Sequence, residues 1–531
     1  MVLIPLFKTY AVQLEAMDIP NGRSVHTCPK PKVGGIAMTV GFLIPVLLWS
    51  PKDPFSASVV IGSLIVVTLG FFDDRHSLDY KSKFVGQIIA ALVVTLHGGV
   101  MIKSLGTLLP QGVVLPDWLS LPLTVLVIVG VTNAINLSDG LDGLAGGISL
   151  LSFSCIAFLA YQFGQYTVAI IAVAAVGAIF AFLRFNTYPA VIFMGDAGSL
   201  LLGFLAVTLS LKLTQGNLPV TPLFPLILLG LPVLDTLTVM LERLAEGKSP
   251  FVADKRHFHH KLMKLGFHHQ EAVFVIYILQ ALLVVSAYAF RFYSEWFLIA
   301  FYVTFSGTVL FGNYVATRTG WQVRRDHLIS KTLKIDVSKL FDRVVIVKTA
   351  YWFVLLGLPA LLLFTCLVPA RFPAPFPILS LTLACLIFTV MLFRYRWLEM
   401  TLRLSIYYLV PLLIYQSQVQ MVPWLDYQFE KIYNSSFLVL VAFVICMLKF
   451  TRRQNGFKTT PTDFLILFIA LIVPNLPGGN VQNYHMGLFA AKLIALFFSY
   501  EVLIGELRGE LDGLSLTTIA ALLVVYARGI L

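Results

Sequence analysis

Thr132-Asn133-Ala134-Ile135-Asn136-Leu137-Ser138-Asp139-Gly140-Leu141-Asp142-Gly143-Leu144-Ala145-Gly146-Gly147 lies between two apolar runs and is the most informative stretch of this chain. Asn133, Asn136, Asp139 and Asp142 recur every third residue, and Gly140, Gly143 and Gly146 keep the same period one step later. On a helical backbone residues three apart are neighbours, so the spacing predicts two amides and two carboxylates along one edge beside a strip without side chains. So polar a segment is costly near a hydrocarbon layer unless it does chemistry.

The flanking runs set the class. Of 531 residues, 58% are hydrophobic and 12% charged, about half the charge of a soluble domain. Apolar runs long enough to cross a ~30 Å hydrocarbon core recur from Val33 to the C-terminus, about 17 in all. The reading is an all-α polytopic membrane protein. Cys28, Cys155, Cys366, Cys385 and Cys446 are scattered singly, which indicates neither a disulfide framework nor a CxxC metal site.

The net charge of +11 is informative through its placement. Lys and Arg collect in 18–32, 242–271, 317–345, 394–403 and 449–458, while the loops near 104–116, 163–166, 213–220, 369–375 and 476–484 hold almost none. The positive-inside rule puts the basic set in the cytoplasm. Nucleic acid is not an expected partner, because the charge is spread over short membrane loops. Counting spans near 33–50, 55–72, 84–102, 118–135, 148–163, 166–183, 200–212 and 222–241 brings every acidic or histidine-rich loop to the same face.

Those loops are Phe71-Phe72-Asp73-Asp74-Arg75 with Lys81 and Lys83; Asn136 to Gly147; Asn186 with Phe193-Met194-Gly195-Asp196-Ala197-Gly198-Ser199; and Ser249-Pro250-Phe251-Val252-Ala253-Asp254-Lys255-Arg256-His257-Phe258-His259-His260. Carboxylates, amides, lysines and histidines at one membrane surface suit a Mg²⁺-dependent reaction on a diphosphate. Mg²⁺ takes hard oxygen ligands from one or two carboxylates plus substrate phosphates. Lys and Arg would neutralise the remaining charge, and glycine would let backbone N–H groups reach it. Each loop has a plainer explanation: a solvated turn at Asp73-Asp74, small-residue helix packing in the glycine run, an N-cap at Asp196, interfacial histidines or a zinc site at 257–260. Zinc is disfavoured by the lack of nearby cysteine. A transporter, the competing class, would carry its charges and broken helices near mid-membrane in two matching halves.

Taken in order, Asp73-Asp74, Asn133 to Gly147, Phe193 to Leu200 and Ser249 to His260 resemble the polyprenyl-phosphate N-acetylhexosamine-1-phosphate transferases. Asp18-Ile19-Pro20-Asn21-Gly22-Arg23 and Pro29 to Gly35 resemble that family's first cytoplasmic loop, and the likeness covers roughly residues 18 to 316. The resemblance implies transfer of a sugar 1-phosphate from a UDP-N-acetylhexosamine to a membrane polyprenyl phosphate, releasing UMP. It implies Mg²⁺, with Mn²⁺ as an alternative, held by Asp196 and Asp73. Asp73, Asp74 and His259 would be catalytic, Asp73 as base or covalent nucleophile. Lys83 would contact phosphate, Asn136, Asp139, Asp142 and Asn186 would line the nucleotide-sugar pocket, and Arg256, His257 and His260 would meet the sugar diphosphate. The His-Phe-His-His string resembles the branch using UDP-N-acetylglucosamine more than the branch transferring N-acetylmuramoyl pentapeptide. The expected location is a cell (inner) membrane with the site cytoplasmic; membrane lipid and, as one possible assembly, a second copy are the other expected partners.

Two departures accompany the likeness. Family members begin with a full membrane helix before the Asp-x-Pro-Asn loop, whereas only Met1 to Met17 precede it here, which predicts a truncated start or a short interfacial helix. Beyond the transferase core of residues 1–316, a basic linker at 317–345 and a further membrane domain at 346–531 with about seven spans have no counterpart. Within that domain Lys492 and Glu501 stand in one apolar run and are expected to serve structure, either snorkelling or facing each other.

Overall fold

The computed structural model describes residues 3–13, 16–18, 29–76, 78–110, 113–215, 219–249, 256–323, 343–393, 397–419, 422, 427–450, 486–507 and 510–530. Arg23, Cys28, Asp254, most of the basic linker and the run 451–485, where one of the seven later spans was expected, lie outside them. The described residues form two compact units, 3–323 and 343–530.

The first unit opens with a short helix α1 (Leu3–Tyr10). A two-residue ribbon follows, β1 (Met17–Asp18) antiparallel to β2 (Lys30–Pro31). Then come α2 (Gly34–Trp49), α3 (Pro54–His76), α4 (Tyr80–Leu92), α5 (Asp117–Leu137), α6 (Leu144–Gln162), α7 (Tyr166–Asn186), α8 (Gly195–Thr214), α9 (Phe224–Leu228), α10 (Gly230–Ala245), α11 (Phe258–Lys264), α12 (His269–Ala289) and α13 (Glu295–Arg318). In the second unit are α14 (Arg343–Leu367), α15 (Pro375–Phe393), α16 (Leu398–Val419), α17 (Tyr427–Phe450), α18 (Met486–Leu507) and α19 (Asp512–Ile530). The protein is a multi-pass, all-helical membrane protein: among the described residues twelve helices are long and apolar enough to cross a bilayer, and α2 is a shorter apolar one. Two expected spans are built as broken helices. The run near 84–102 is α4 followed by a π-helical turn at Val93–His97, and that near 222–241 breaks at Leu229 between α9 and α10.

Helix α8 is the axis of the first unit and is buried on every side, as a helix that is apolar all round must be. Close approach at glycines seats its N-terminal turn. A Cβ on Gly70 of α3 would lie 2.4 Å from the Ala197 nitrogen, and one on Gly35 of α2 would lie 2.3 Å from the Gly198 nitrogen. The start of α8 is therefore held backbone to backbone between α2 and α3. Asp73 and Asp74, one turn beyond Gly70, arrive beside Asp196. The ribbon is stitched to the same place: Phe193 N–H donates to Pro31 O (2.8 Å), Gly34 N–H to Phe193 O (3.0 Å) and Gly35 N–H to Met194 O (2.9 Å).

In the second unit the two intramembrane charges do not face each other. Glu501 pairs with Arg403 of α16 at 3.0 Å and accepts a hydrogen bond from Tyr407. The Lys492 ammonium sits 4.4 Å from the centroid of the Tyr433 ring and 5.6 Å from that of Phe437. The two residues are nine apart, half a turn out of phase on one helix, so they point to different neighbours.

Candidate active site

Helix α5 ends at Leu137, and Ser138 to Gly143 form a non-helical turn before α6. The three-residue ladder is therefore helical only in its first half, a correction to the expected continuous edge. Asn133 does not reach the site: it and Gln87 of α4 exchange hydrogen bonds in both directions, satisfying two amides that would otherwise be orphaned between apolar helices. The glycines also serve the fold. The His259 ring lies where a Cβ on Gly140 would be, the Tyr277 hydroxyl where one on Gly147 would be, and Gly143 has φ +82°, which glycine adopts without strain.

Beyond Asn133 the remaining polar residues converge. Asn136 Nδ2 donates to Asp196 Oδ1 (3.0 Å) and Ser199 Oγ (2.8 Å). The Lys83 ammonium bridges two carboxylates, pairing closely with Asp73 and standing 3.4 Å from Asp196 Oδ2. Asp73 Oδ1 accepts the Leu78 N–H at 2.9 Å, and Asp74 Oδ2 accepts the Ala197 N–H at 3.3 Å. Gly195, at φ +69°, leaves room for Asp74: a Cβ there would lie 2.3 Å from Asp74 Oδ2. Asp196 is not an N-cap; Met194 holds that position, and Asp196 lies within the first turn of α8.

These groups border a cavity of about 360 Å³. Of the residues singled out in the sequence, Asp74, Asn136, Asp139, Asp142, Asn186, Asp196 and His260 line it. Asp73 and Lys83 stand behind Asp196. Asn186 is held at both ends, accepting from Gly143 N–H and donating to Ile192 O, each at 2.9 Å. Asp142 accepts from Ala190 N–H at 2.8 Å. Arg256, His257 and His259 do not line the cavity. Arg256 is forked onto Glu246 at 2.5 and 2.8 Å, His257 Nδ1 is 2.9 Å from Asp235 Oδ2, and His259 is buried. Burial, reinforced by the neighbouring His260, drives the His259 imidazole down to about 3, so it stays neutral at ordinary pH.

The cavity also has walls that spacing did not single out. Lys30 lies over the Phe193 ring at 5.1 Å, and the Tyr188 and His269 rings pack with centroids 4.5 Å apart and planes tilted by 31°; all four line it, with Lys32 and Asp18. Asp18, Lys30, Lys32 and Phe193 stand in the motif segments, but which of their residues reach the cavity depends on chain remote in sequence, and neither Tyr188 nor the start of α12 carries a local chemical pattern. Five carboxylates (Asp18, Asp74, Asp139, Asp142, Asp196) face only two lysines. The excess negative charge is felt in the turn: burial, then Asp196 and Asp74, push Asp139 up to about 7. Lys32, although burial opposes it, is held above its usual value by Asp18 and Asp74.

Beside Asp73, α3 and α4 leave an apolar groove of about 570 Å³ lined by Ile61, Leu64, Ile65, Thr68, Leu69, Phe72, Leu78 and Gly86. Its upper end, Leu78, is hydrogen-bonded to Asp73 through the backbone.

The model of glycosyl transferase family 4 matches residues 56–214, the stretch holding Asp73, Lys83, the ladder and Asp196. A probable undecaprenyl-phosphate N-acetylglucosaminyl 1-phosphate transferase of Bacillus subtilis is 34% identical over 347 residues, 65% of this chain and 94% of that protein. This chain belongs to glycosyl transferase family 4. An undecaprenyl-phosphate alpha-N-acetylglucosaminyl 1-phosphate transferase of Yersinia pestis is 30% identical over 334 residues, 61% of this chain and 90% of its own length. A decaprenyl-phosphate N-acetylglucosaminephosphotransferase of Mycobacterium leprae is 32% identical over 300 residues, 50% of this chain and 75% of its own length.

Proposed function

We propose that this protein transfers N-acetylglucosamine 1-phosphate from a UDP-sugar to a polyprenyl phosphate, releasing UMP and a polyprenyl diphosphate sugar. The reading rests above all on one juxtaposition: Asp73, Asp196 and Lys83 sit between a polar cavity and an apolar groove. A water-soluble nucleotide and a lipid phosphate could meet there and nowhere else among the described cavities. The names of the relatives support the polyprenyl phosphate acceptor and the N-acetylglucosamine 1-phosphate that is transferred.

The donor set suits a divalent cation. A diphosphate entering a cavity with five carboxylates and two lysines needs positive charge from elsewhere. Among the described residues no three acidic, histidine or cysteine side chains form a metal cage, but Mg²⁺ commonly takes one or two carboxylates and completes its shell with phosphates and water. Asp196 and Asp73, on either side of the Lys83 ammonium, would hold it. Bound there, the ion would supply charge stabilisation at the transferring phosphoryl group.

The chain's own residues would do the rest. Lys83 would draw the acceptor phosphate to Asp73, which then needs only hydrogen-bond reach to take its proton. Asn136, held by Ser199, would fix the Asp196 carboxylate. Asp139, Asp142, Asn186 and the Tyr188–His269 ring pair would frame the nucleotide sugar, with His260 facing it. The groove along α3 and α4 would carry the first isoprene units of the acceptor. The basic loops favour a cytoplasmic site in a cell membrane. Purified protein given labelled UDP-N-acetylglucosamine, polyprenyl phosphate and Mg²⁺ should yield butanol-extractable label and UMP; a panel of UDP-sugars giving no lipid-linked product would sink the reading.

A further inference from the structure

Helix α10 carries acids at Asp235 and Glu242, with Glu246 one residue past its end. Steps of seven and four keep all three on one face. Each holds a different residue of the histidine segment: Glu246 grips Arg256, Glu242 binds Lys261 at 2.7 Å, and Asp235 takes His257 and the Phe258 N–H (2.7 Å). The two outer pairs are partly exposed, a setting in which ion pairs contribute little. The inner one is not: the His257 and Asp235 side chains are 8% and 13% exposed.

That inner contact is a fork. One carboxylate oxygen accepts the first backbone N–H of α11, which His257 itself does not cap, so the acid does the work of an N-cap from another helix. The other oxygen holds imidazole Nδ1, and the partner at one ring nitrogen decides which nitrogen carries the proton. From this root the segment runs to the cavity. The His257 and His259 rings are parallel with centroids 5.9 Å apart, His259 packs on Gly140 of the cavity turn, and the His260 ring, 4.2 Å from His259, faces the cavity.

We propose that Asp235, which does not line the cavity, is the positioning residue of the histidine segment: through His257 and the first turn of α11 it sets where His260 meets the nucleotide sugar. The proposal rests on the transferase reading for what His260 touches, though not for what Asp235 holds. Its test is a double-mutant cycle in the full-length protein. Asp235→Asn should lower kcat/KM for the UDP-sugar at least tenfold, but less than threefold when His260 is already alanine, because only coupled residues are non-additive. Equal losses in both backgrounds, or full activity of Asp235→Asn, would overturn it. If Asp235→Asn does not fold, His257→Gln takes its place in the same cycle. A second readout needs no turnover: trypsin should cut after Arg256 several-fold faster in Asp235→Asn than in wild type, and at an unchanged rate in His260→Ala. An unchanged rate in Asp235→Asn refutes the anchoring role whatever the protein transfers. Faster cleavage in a protein whose wild type makes no lipid-linked product rejects the transferase reading alone.

Discussion

Gly70→Ala is the sharpest test of how the carboxylates are brought together. The added Cβ would lie 2.4 Å from the Ala197 nitrogen and 2.5 Å from its Cα, whereas unstrained heavy-atom contacts need roughly 3.5 Å. Both obstructing atoms are backbone, so no rotamer change relieves the clash, and α3 must move about 1 Å from α8. Asp73 and Asp74 move with it, away from Asp196. Overpacking of this kind costs about 1–3 kcal/mol of stability, while a 1 Å misplacement at a reacting centre costs about 100-fold in rate. The expected result is folded protein with slightly lower thermal stability and kcat for lipid-linked product reduced about 100-fold. Gly130→Ala on α5 is the control, since nothing lies within 4 Å of a Cβ there; it should match or slightly exceed wild-type stability and retain activity. Wild-type kcat in Gly70→Ala at wild-type stability would show that the close approach does not position the carboxylates.

Further outcomes follow from the same geometry. Asp196→Asn, with Asn136 still able to bond it, should lower turnover by at least about 1000-fold with the protein still folded; near-normal activity removes Asp196 from the metal role. Thr68→Trp should fill the groove and raise KM for a long-chain polyprenyl phosphate several-fold while leaving UDP-sugar binding unchanged, and equal effects on both substrates would count against the groove. His259, held down to about 3 in the fold against about 6.5 unfolded, binds its proton only in the unfolded chain between those values. Its contribution to stability therefore falls as pH drops below about 6.5, by up to about 1.4 kcal/mol per pH unit. Asp139, raised to about 7, acts with the opposite sign, so the comparison to make is wild type against His259→Gln in detergent melts at pH 7.5 and 5.5; identical slopes would refute the neutral, buried imidazole. In the second unit, Arg403 is shared between Glu501 and Glu399, the latter at 2.6 Å, so Glu501→Ala, which removes the more buried of its two carboxylates, should destabilise by about 1–2 kcal/mol, and Arg403→Met with Glu501→Met should recover most of it; a double variant no more stable than the single would contradict that account.

Much of the first unit was legible because hydropathy and charge act locally. The expected runs near 33–50, 55–72, 118–135, 148–163 and 166–183 each coincide with one helix, since a membrane span must satisfy its own backbone within one segment. Asp74, Asn136, Asp139 and Asp196 were legible as a group because polar residues between apolar runs have few other reasons to be there. What was not legible depends on partners remote in sequence. Nothing near Asn133 distinguishes it from Asn136; only the approach of Gln87 from α4 makes one a helix clamp and the other a site residue. Asp235 reads as an ordinary charge in an apolar run until α11 folds over it. Lys492 and Glu501 resemble a pair because they share a helix, yet their neighbours come from α16 and α17.

Under the proposed function, the backbone of the candidate site bears on which groups would carry the charge of a diphosphate. A glycine-rich turn beside a helix start ordinarily offers free N–H groups to a phosphate, and that was the expectation from Gly140 to Gly147. Of that run Gly143 N–H is taken by Asn186, and two further donors beside the cavity are taken as well, Ala190 N–H by Asp142 and Ala197 N–H by Asp74. Because each donor is already satisfied by a side-chain oxygen, using it for substrate would orphan a buried amide or carboxylate, which costs about as much as the new bond gains. Under the proposed function, neutralisation of the donor would then fall to Lys30, Lys32 and a divalent ion. Under the proposed function, donor affinity should therefore depend far more steeply on Mg²⁺ and on Lys30 and Lys32, which line the cavity, than on the glycines of the turn, whose substitution acts through packing against His259 and Tyr277.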